Sequence, residues 1–430
     1  MVRRIQLLVA AVVLLVAALS TGAQLLFFLV YLGIIVVGGS YVVTRFGLAD
    51  LEAGYVLDRL HARAGDMLRA TYTVRNTSRL PKLWLEVHNP TTLPVVLPGQ
   101  AITIGPRGER TWSVHVPLTR RGHFRVDPLA LRTGDPLGLF ESNAAIGGYS
   151  TVIVYPHVEV LPGWRMPPAF VEGSHAEKVR TPHVTPTATS IREYLPGDAY
   201  NRIHWKASAR QGQLLVKEFE LEQTADVWIF LDLHGPTHTG SGDDSTLEYG
   251  VRVAASIAAR ALVENRKVAL TASGRRISPI PADRGPRQYQ KIMETLAAVA
   301  ADGGRPLHEV LVENVGRLRR GMTALIVTAS LDAHWVLPLN GLRRRGVEAF
   351  VILLDAPAFA AYDPPIDQRV MTEQALNAQR TVREESLRAQ RALRHALAEH
   401  DLRWLNVEPG EPLASQLVTR GPRPVLATAR

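Results

Sequence analysis

Cysteine is absent from all 430 residues. That excludes disulfides, thiolate nucleophiles and Cys-ligated zinc or iron–sulfur centres, and it is compatible with a reducing compartment. Charge of either sign is also missing throughout the interval between Arg4 and Arg45. A dense basic run is lacking too. Arg343, Arg344 and Arg345 form the tightest cluster, so the formal net charge of +9 reads as a solvated basic surface rather than a nucleic-acid grip. What is present is an ordinary apolar fraction of 46% spread over a chain long enough for two or three domains.

The uncharged interval holds two apolar runs, residues 5–20 and 24–43, separated by the turn Thr21-Gly22-Ala23. Each approaches the ~20 residues that cross ~30 Å of hydrocarbon. Arg3 and Arg4 precede the first run and Arg45 follows the second. The positive-inside bias then predicts a helical hairpin in a prokaryotic plasma membrane, held in the bilayer through residues 5–43, with the soluble bulk in the cytoplasm. The first run is also compatible with a cleaved signal peptide, in which case the second remains as the anchor.

After the hairpin, "MLRATYTVRNTS", "KLWLEVHN", "AITIGP", "ERTWSVHVPL" and "TVIVYPHVEV" alternate apolar and polar residues between Gly, Pro, Asn and Asp. Such short strands predict an all-β antiparallel sandwich over residues 47–163. Residues 164–190, rich in Pro, Thr and Ser, predict an extended linker whose His175 and His183 lack metal-ligand spacing. Residues 191–222 crowd ionisable and aromatic side chains together, and residues 223–430 alternate buried strands with helices. That alternation predicts a doubly wound α/β domain with a mostly parallel sheet. A long polar helix with a narrow apolar stripe is expected near 368–400.

Three ordered stretches carry a resemblance: "RRGHFRVDPLALRTGDPLGLF", then "VIVYP", then "REYLPGDAYNRIHWKASARQG". In that order they resemble the bacterial and archaeal family called domain of unknown function 58. The matching positions are Arg121, Gly122, Asp135, Pro136, Gly138, Leu139 and Phe140 in the β-rich region. In the later segment they are Arg192, Tyr194, Pro196, Gly197, Asp198, Arg202, Ile203, Trp205, Lys206, Ala209 and Arg210. The resemblance implies two membrane helices (residues 1–46), a β-sandwich and a von Willebrand factor A-like domain. It also implies a MoxR-type AAA+ ATPase as partner. Ala199 and Asn201 depart from the pattern, where the family usually carries an acid and a basic residue.

A von Willebrand A-like domain commonly binds magnesium through Asp-x-Ser-x-Ser, because a hard cation prefers oxygen ligands. Here Asp232 is followed by His234 and Pro236, and Ala329 stands where another aspartate is usual. Proline offers no side-chain ligand, so the site reads as degenerate, without metal or other cofactor. Asp232 is then expected to accept hydrogen bonds from neighbouring loop amides.

Three functions compete. The first is a non-enzymatic adaptor or scaffold, in which the 191–222 segment is a latch between domains or a partner-docking surface. In this reading Pro196-Gly197-Asp198 makes a turn, a short helix ends at Gly212, and Trp205 fills the gap between layers. The second is a hydrolase with His204 as base and Asp198 or Glu193 orienting it; Ser208 is the only hydroxyl nearby. The third is a structural envelope-associated protein without an ATPase. Nucleic acid is disfavoured because Glu193, Glu218, Glu220 and Glu222 would repel phosphates.

Overall fold

The computed structural model describes residues 2–162, 164, 190–195, 198, 200, 203–218, 226–275, 279–362 and 373–419. Most of the expected linker lies outside them. Two compact units form, Met1–Val158 with Met293–Val299, and Glu159–Ile292 with Ala300–Arg430.

The first unit begins with helices α1 (Val2–Thr21) and α2 (Gln24–Gly47). Gly22, at φ 66°, lets the chain reverse between them. By length and composition α2 can cross a membrane; the apolar segment of α1 that has described side chains, Ala10–Thr21, is shorter. A buried ammonium closes the end of α2. Lys82 is 2% exposed, and its Nζ donates to the Phe46 carbonyl at 2.7 Å. A cation there adds to the Ala49 amide on the same carbonyl and complements the helix dipole. Burial pulls the Lys82 pKa down, and nearby Asp50 partly opposes it.

Ten strands follow: β1 (Leu51–Leu57), β2 (His61–Arg63), β3 (Met67–Asn76), β4 (Lys82–His88), β5 (Gln100–Ile104), β6 (Glu109–Pro117), β7 (Gly122–Val126), β8 (Leu129–Gly134), β9 (Glu141–Ile146) and β10 (Ser150–Tyr155). They form three small sheets, ordered β1-β3-β6, β2-β10-β7 and β5-β4-β8-β9. β3 alternates buried and open positions as a half-buried strand should. Leu68, Tyr72, Leu85, Leu131 and Val152 meet in one core. The region is β-rich as expected, with one departure: β2 pairs with β10 in parallel.

The second unit opens with β11 (Ser190–Glu193), α3 (Trp205–Gln211) and β12 (Leu215–Glu218). Then come β13 (Val227–Leu231), α4 (Thr246–Val263), β14 (Val268–Ala272), β15 (Ile280–Asp283), α5 (Pro286–Ala298, of which residues 293–298 count with the first unit) and α6 (Leu307–Asn314). β16 (Thr323–Thr328), α7 (Val336–Arg344), β17 (Glu348–Leu354), α8 (Ala356–Tyr362), α9 (Glu373–Glu399), β18 (Arg403–Val407) and α10 (Leu413–Thr419) complete it. The sheet order is β15-β14-β13-β16-β17-β18, parallel except for β15. Every residue of β13, β14 and β16 is buried, which is the mark of a parallel sheet covered on both faces.

β15 is an element that the sequence reading does not contain. Pro279 and Pro281 make its segment read as a turn, yet an edge strand tolerates proline because one side of its ladder is unpaired. The long polar helix is present as α9. Its narrow stripe, Leu393 and Leu397, is fully buried in the same core as Trp335, Val351 and Leu353.

Candidate functional site

Two places gather the residues singled out above. The first is the segment around α3. β11 and β12 pair antiparallel, with Ser190 opposite Glu218 and Glu193 opposite Leu215. His204 is the N-cap of α3: its Nδ1 accepts the Ala207 amide hydrogen at 3.1 Å. That bond requires an unprotonated Nδ1, so the ring takes the Nε2–H tautomer. Gly212 ends the helix at φ 69°, its amide donating to the Ser208 carbonyl. Ser208 is 7% exposed; its hydroxyl donates to the His204 carbonyl at 3.1 Å and accepts the Leu215 amide at 2.9 Å. Asp198 accepts the Leu195 amide through Oδ2 at 2.9 Å, forming a turn. Glu193 accepts from Gln213 at 3.3 Å.

His204, Ser208 and Asp198 are thus engaged in caps and turns, while several apolar groups face outward. Trp205 is 65% exposed and Tyr200 71%, with Leu195 and Leu214 also open. Tyr194 stacks on Tyr200 with centroids 6.1 Å apart. The expectation that Trp205 fills a gap between layers is therefore corrected. It stands at the first position of a helix whose covered side is Ala207 and Ser208, and the indole projects elsewhere. Ile203 is buried beside Leu215 and Val216, whereas Lys206, Ala209 and Arg210 are exposed. Arg192 lies in β11. Pro196, Gly197 and Arg202 fall outside the described residues.

The second place is the carboxyl end of β13, where the sheet order reverses between β14 and β16; open α/β sheets bind ligands at such points. Asp232, 1% exposed, sits there. Its Oδ1 accepts the His234 amide at 3.0 Å and its Oδ2 accepts the Thr328 hydroxyl at 2.6 Å. Thr328 Oγ1 in turn accepts the Ser330 amide at 2.9 Å. His238 bridges the Asp232 carbonyl and the Thr246 hydroxyl, each at 3.1 Å. A carbonyl only accepts, so Nε2 carries the hydrogen; the Thr246 hydroxyl lies within reach of both Nδ1 and the Thr239 carbonyl, the latter at 3.2 Å. Burial lowers the His238 pKa and His234 adds to this, outweighing the opposing pull of Asp232.

The neighbouring strand ends are closed similarly. Asp355, after β17, accepts from the Ala358 amide at 3.1 Å and the Asn406 amide group at 2.8 Å, with Arg394 at 3.4 Å. Gly303 crosses so near the end of β13 that a Cβ would lie 2.4 Å from the Ser273 carbonyl oxygen and 2.7 Å from that of Leu233. Its amide donates to Leu233 O at 3.0 Å. Ala329 is buried and brings no ligand. Sequence reasoning missed His238, Thr246, Thr328 and Gly303. Only the short hydroxyl-rich spacing "IVTAS" gave any hint of Thr328.

The β-rich signature residues form a separate feature. Arg121 and Gly122 lead into β7. Asp135 to Phe140 make a tight turn in which Asp135 Oδ1 accepts the Phe140 amide at 2.6 Å and Oδ2 the Leu137 amide at 3.0 Å. Gly138, at φ 68°, donates to the Asp135 carbonyl at 3.0 Å. Burial pushes the Asp135 carboxyl up, but the two amides and the Ser40 hydroxyl outweigh it and hold its pKa below the usual carboxylate value.

Comparison with known proteins agrees with the segment around α3. The family described as "Protein of unknown function DUF58" matches residues 190–356. The uncharacterised protein YeaD of Bacillus subtilis (strain 168) is 25% identical over 324 residues, 73% of this chain and 79% of its own length. An uncharacterised protein of Mycobacterium tuberculosis (strain ATCC 25618 / H37Rv) is 25% identical over 190 residues, 43% of this chain and 59% of its own. Among solved structures, the CARDB domain of the PF1109 protein from Pyrococcus furiosus aligns with 24% of this chain and 87% of its own, at 14% identity. Its TM-score of 0.19 supports no conclusion about fold. The DUF58 family model thus matches the part of the chain that holds α3, Asp232 and the central strands of the parallel sheet.

Proposed function

We propose that this chain is a membrane-anchored, non-enzymatic docking protein. The hairpin holds it in a prokaryotic plasma membrane with both ends in the cytoplasm, the β-rich domain is a spacer, and the second unit recognises a protein partner. In this reading the second unit is a von Willebrand A-like domain whose metal site has degenerated. Its six-stranded order with one antiparallel edge supports that assignment, as do His234 and Pro236 at the ligand positions. The partner is an AAA+ ATPase of the MoxR type, which the family resemblance implies, and the pair acts in protein assembly or maturation.

One observation carries the reading. The signature segment engages His204, Ser208 and Asp198 in caps and turns and presents Leu195, Tyr200, Trp205 and Leu214 to solvent. Aromatic residues on an open surface are the anchors that protein interfaces use. A hydrolase reading needs His204 Nδ1 to face a carboxylate, and that nitrogen caps α3 instead.

The test is capture of the tagged full-length chain from cross-linked native membranes, beside Trp205→Ala and Tyr200→Ala variants. Recovery of an AAA+ ATPase that falls away with either variant, at unchanged thermal midpoint, is the expected result. Equal recovery from wild type and variants, or recovery of the bait alone, overturns the proposal.

A further inference from the structure

The turn Asp135–Phe140 has no role in the docking proposal, yet it occupies an unusual position. We infer that it is a membrane-inserting loop, carrying Leu137, Leu139 and Phe140 into hydrocarbon beside α2 and seating the β-rich domain against the bilayer surface. The inference rests on the reading that α2 spans a membrane.

Position comes first. Thr133 abuts the end of α2: a Cβ on Gly47 would lie 2.6 Å from its Cγ2. From there the chain runs back along the helix. Phe140 meets Tyr41 edge-on with centroids 5.7 Å apart. Leu137, Leu139 and Phe140 then line one groove of about 1260 Å³ with Leu15, Val36 and Val37. Gly47 to Val36 is eleven residues, roughly 16 Å along the axis at 1.5 Å per residue. The turn therefore lies beside the apolar stretch of α2, not beyond its end.

Chemistry comes second. Each backbone group left unsatisfied in hydrocarbon is costly, so an inserting turn sits shallow, with its side chains deeper than its backbone. Within residues 135–140, the amides of Asp135, Leu137, Gly138 and Phe140 donate inside the turn and Pro136 has no amide hydrogen, which leaves the Leu139 amide and the carbonyls of residues 136–139 without a partner in it. The single charge, Asp135, is 7% exposed and its carboxylate accepts two amides. Leu137, by contrast, is 53% exposed.

A belt of interfacial type accompanies the turn. A second groove, about 750 Å³, is lined by Val42, Phe46, Leu83, Trp84 and Arg132. Trp84 is 55% exposed with its indole N–H turned to Glu86 at 3.3 Å. Amphipathic aromatic and basic side chains at the end of an apolar helix match the headgroup level of a bilayer. An apolar tip, a turn with most of its amides paired and an aromatic–basic collar together fit acyl chains below and headgroups above.

The natural absence of cysteine makes the test direct. Single variants Leu137→Cys, Ile35→Cys and Val96→Cys of the full chain are spin-labelled and reconstituted in vesicles of phosphatidylcholine and phosphatidylglycerol. Collision with oxygen, which partitions into hydrocarbon, is compared with collision with a water-soluble nickel chelate. Ile35 reports the span and Val96, on the β-rich domain, reports water. The expected result groups Leu137 with Ile35, oxygen dominating, while Val96 favours nickel. Leu137 grouping with Val96 while Ile35 stays in hydrocarbon overturns the loop inference and leaves the span intact. Nickel access at all three positions overturns the membrane reading itself. Leu137 shielded from both reagents, with label–label broadening, assigns the face to a second copy of the chain and also overturns the inference.

Discussion

The Thr328 hydroxyl donates to the Asp232 carboxylate at 2.6 Å, joining the ends of the two strands that flank the reversal in sheet order. Asp232 thereby spends one oxygen on β16 and the other on the His234 amide. Asp232→Ala leaves two buried donors without an acceptor and is expected to lower stability by about 1–3 kcal/mol. Chemical denaturation of the full chain measures it. If Asp232 serves only as this tie, millimolar magnesium leaves the wild-type midpoint unchanged; a magnesium-dependent rise that Asp232→Ala removes would show a working metal site.

His238 should impose an acid limit. Its pKa is lowered from an ordinary value of 6.5, so below that pH the unfolded chain binds the proton more readily. The stability contributed by neutral His238 is present in full above pH 6.5 and is lost as pH falls through the folded value. His238→Gln keeps hydrogen-bonding capacity without the titration. Its unfolding free energy should therefore fall less steeply between neutral and mildly acid pH than that of wild type. Parallel slopes would show that His238 does not titrate differently on folding.

His204 separates two of the competing functions. Removing an N-cap costs about 1 kcal/mol, so His204→Ala should speed hydrogen exchange at the Ala207 amide about fivefold, and His204→Asn should restore protection. A catalytic base would not be rescued by asparagine. Partner capture unaffected by His204→Asn is the outcome expected of a cap.

Trp205→Ala should leave the thermal midpoint nearly unchanged, because substitution at a 65% exposed position shifts stability by about 0.5 kcal/mol or less. Loss of partner capture without loss of stability is the signature of a surface anchor. A large fall in stability would mean that the indole is covered in the native protein.

Within α9, burial divides neighbouring leucines. Leu397 is fully buried, and Leu397→Ala is expected to cost about 2–5 kcal/mol. Leu387 is 39% exposed, and Leu387→Ala is expected to cost far less. Equal losses would mean that the outer face of the helix is also packed.

These contrasts mark how much the sequence could disclose. The alternation in "MLRATYTVRNTS" is enough to identify β3, and the continuous apolar run "ADVWIFLDL" is enough for β13, because burial on one face or two writes itself directly into residue order. The cap at Gly212 is similarly local. β15 is hidden because its prolines carry turn signals that only an edge position overrides. Which side of α3 is covered is also unwritten: with two turns, Trp205 and Ser208 are equally plausible inward residues. The His238–Asp232–Thr246 arrangement depends on a loop closing over a strand end, and the Lys82–Phe46 contact joins positions 36 apart. No periodicity encodes such meetings.

The Lys82 clamp has a mechanical corollary. With the last turn of α2 pinned by an ammonium in the first residue of β4, and only residues 48–50 between that helix and β1, there is no slack at the base of the β-rich domain. A pull on that domain is delivered to the helix as tilt rather than absorbed by a hinge. Under the proposed function, an ATP-driven partner pulling on this domain would therefore strain the bilayer around α2.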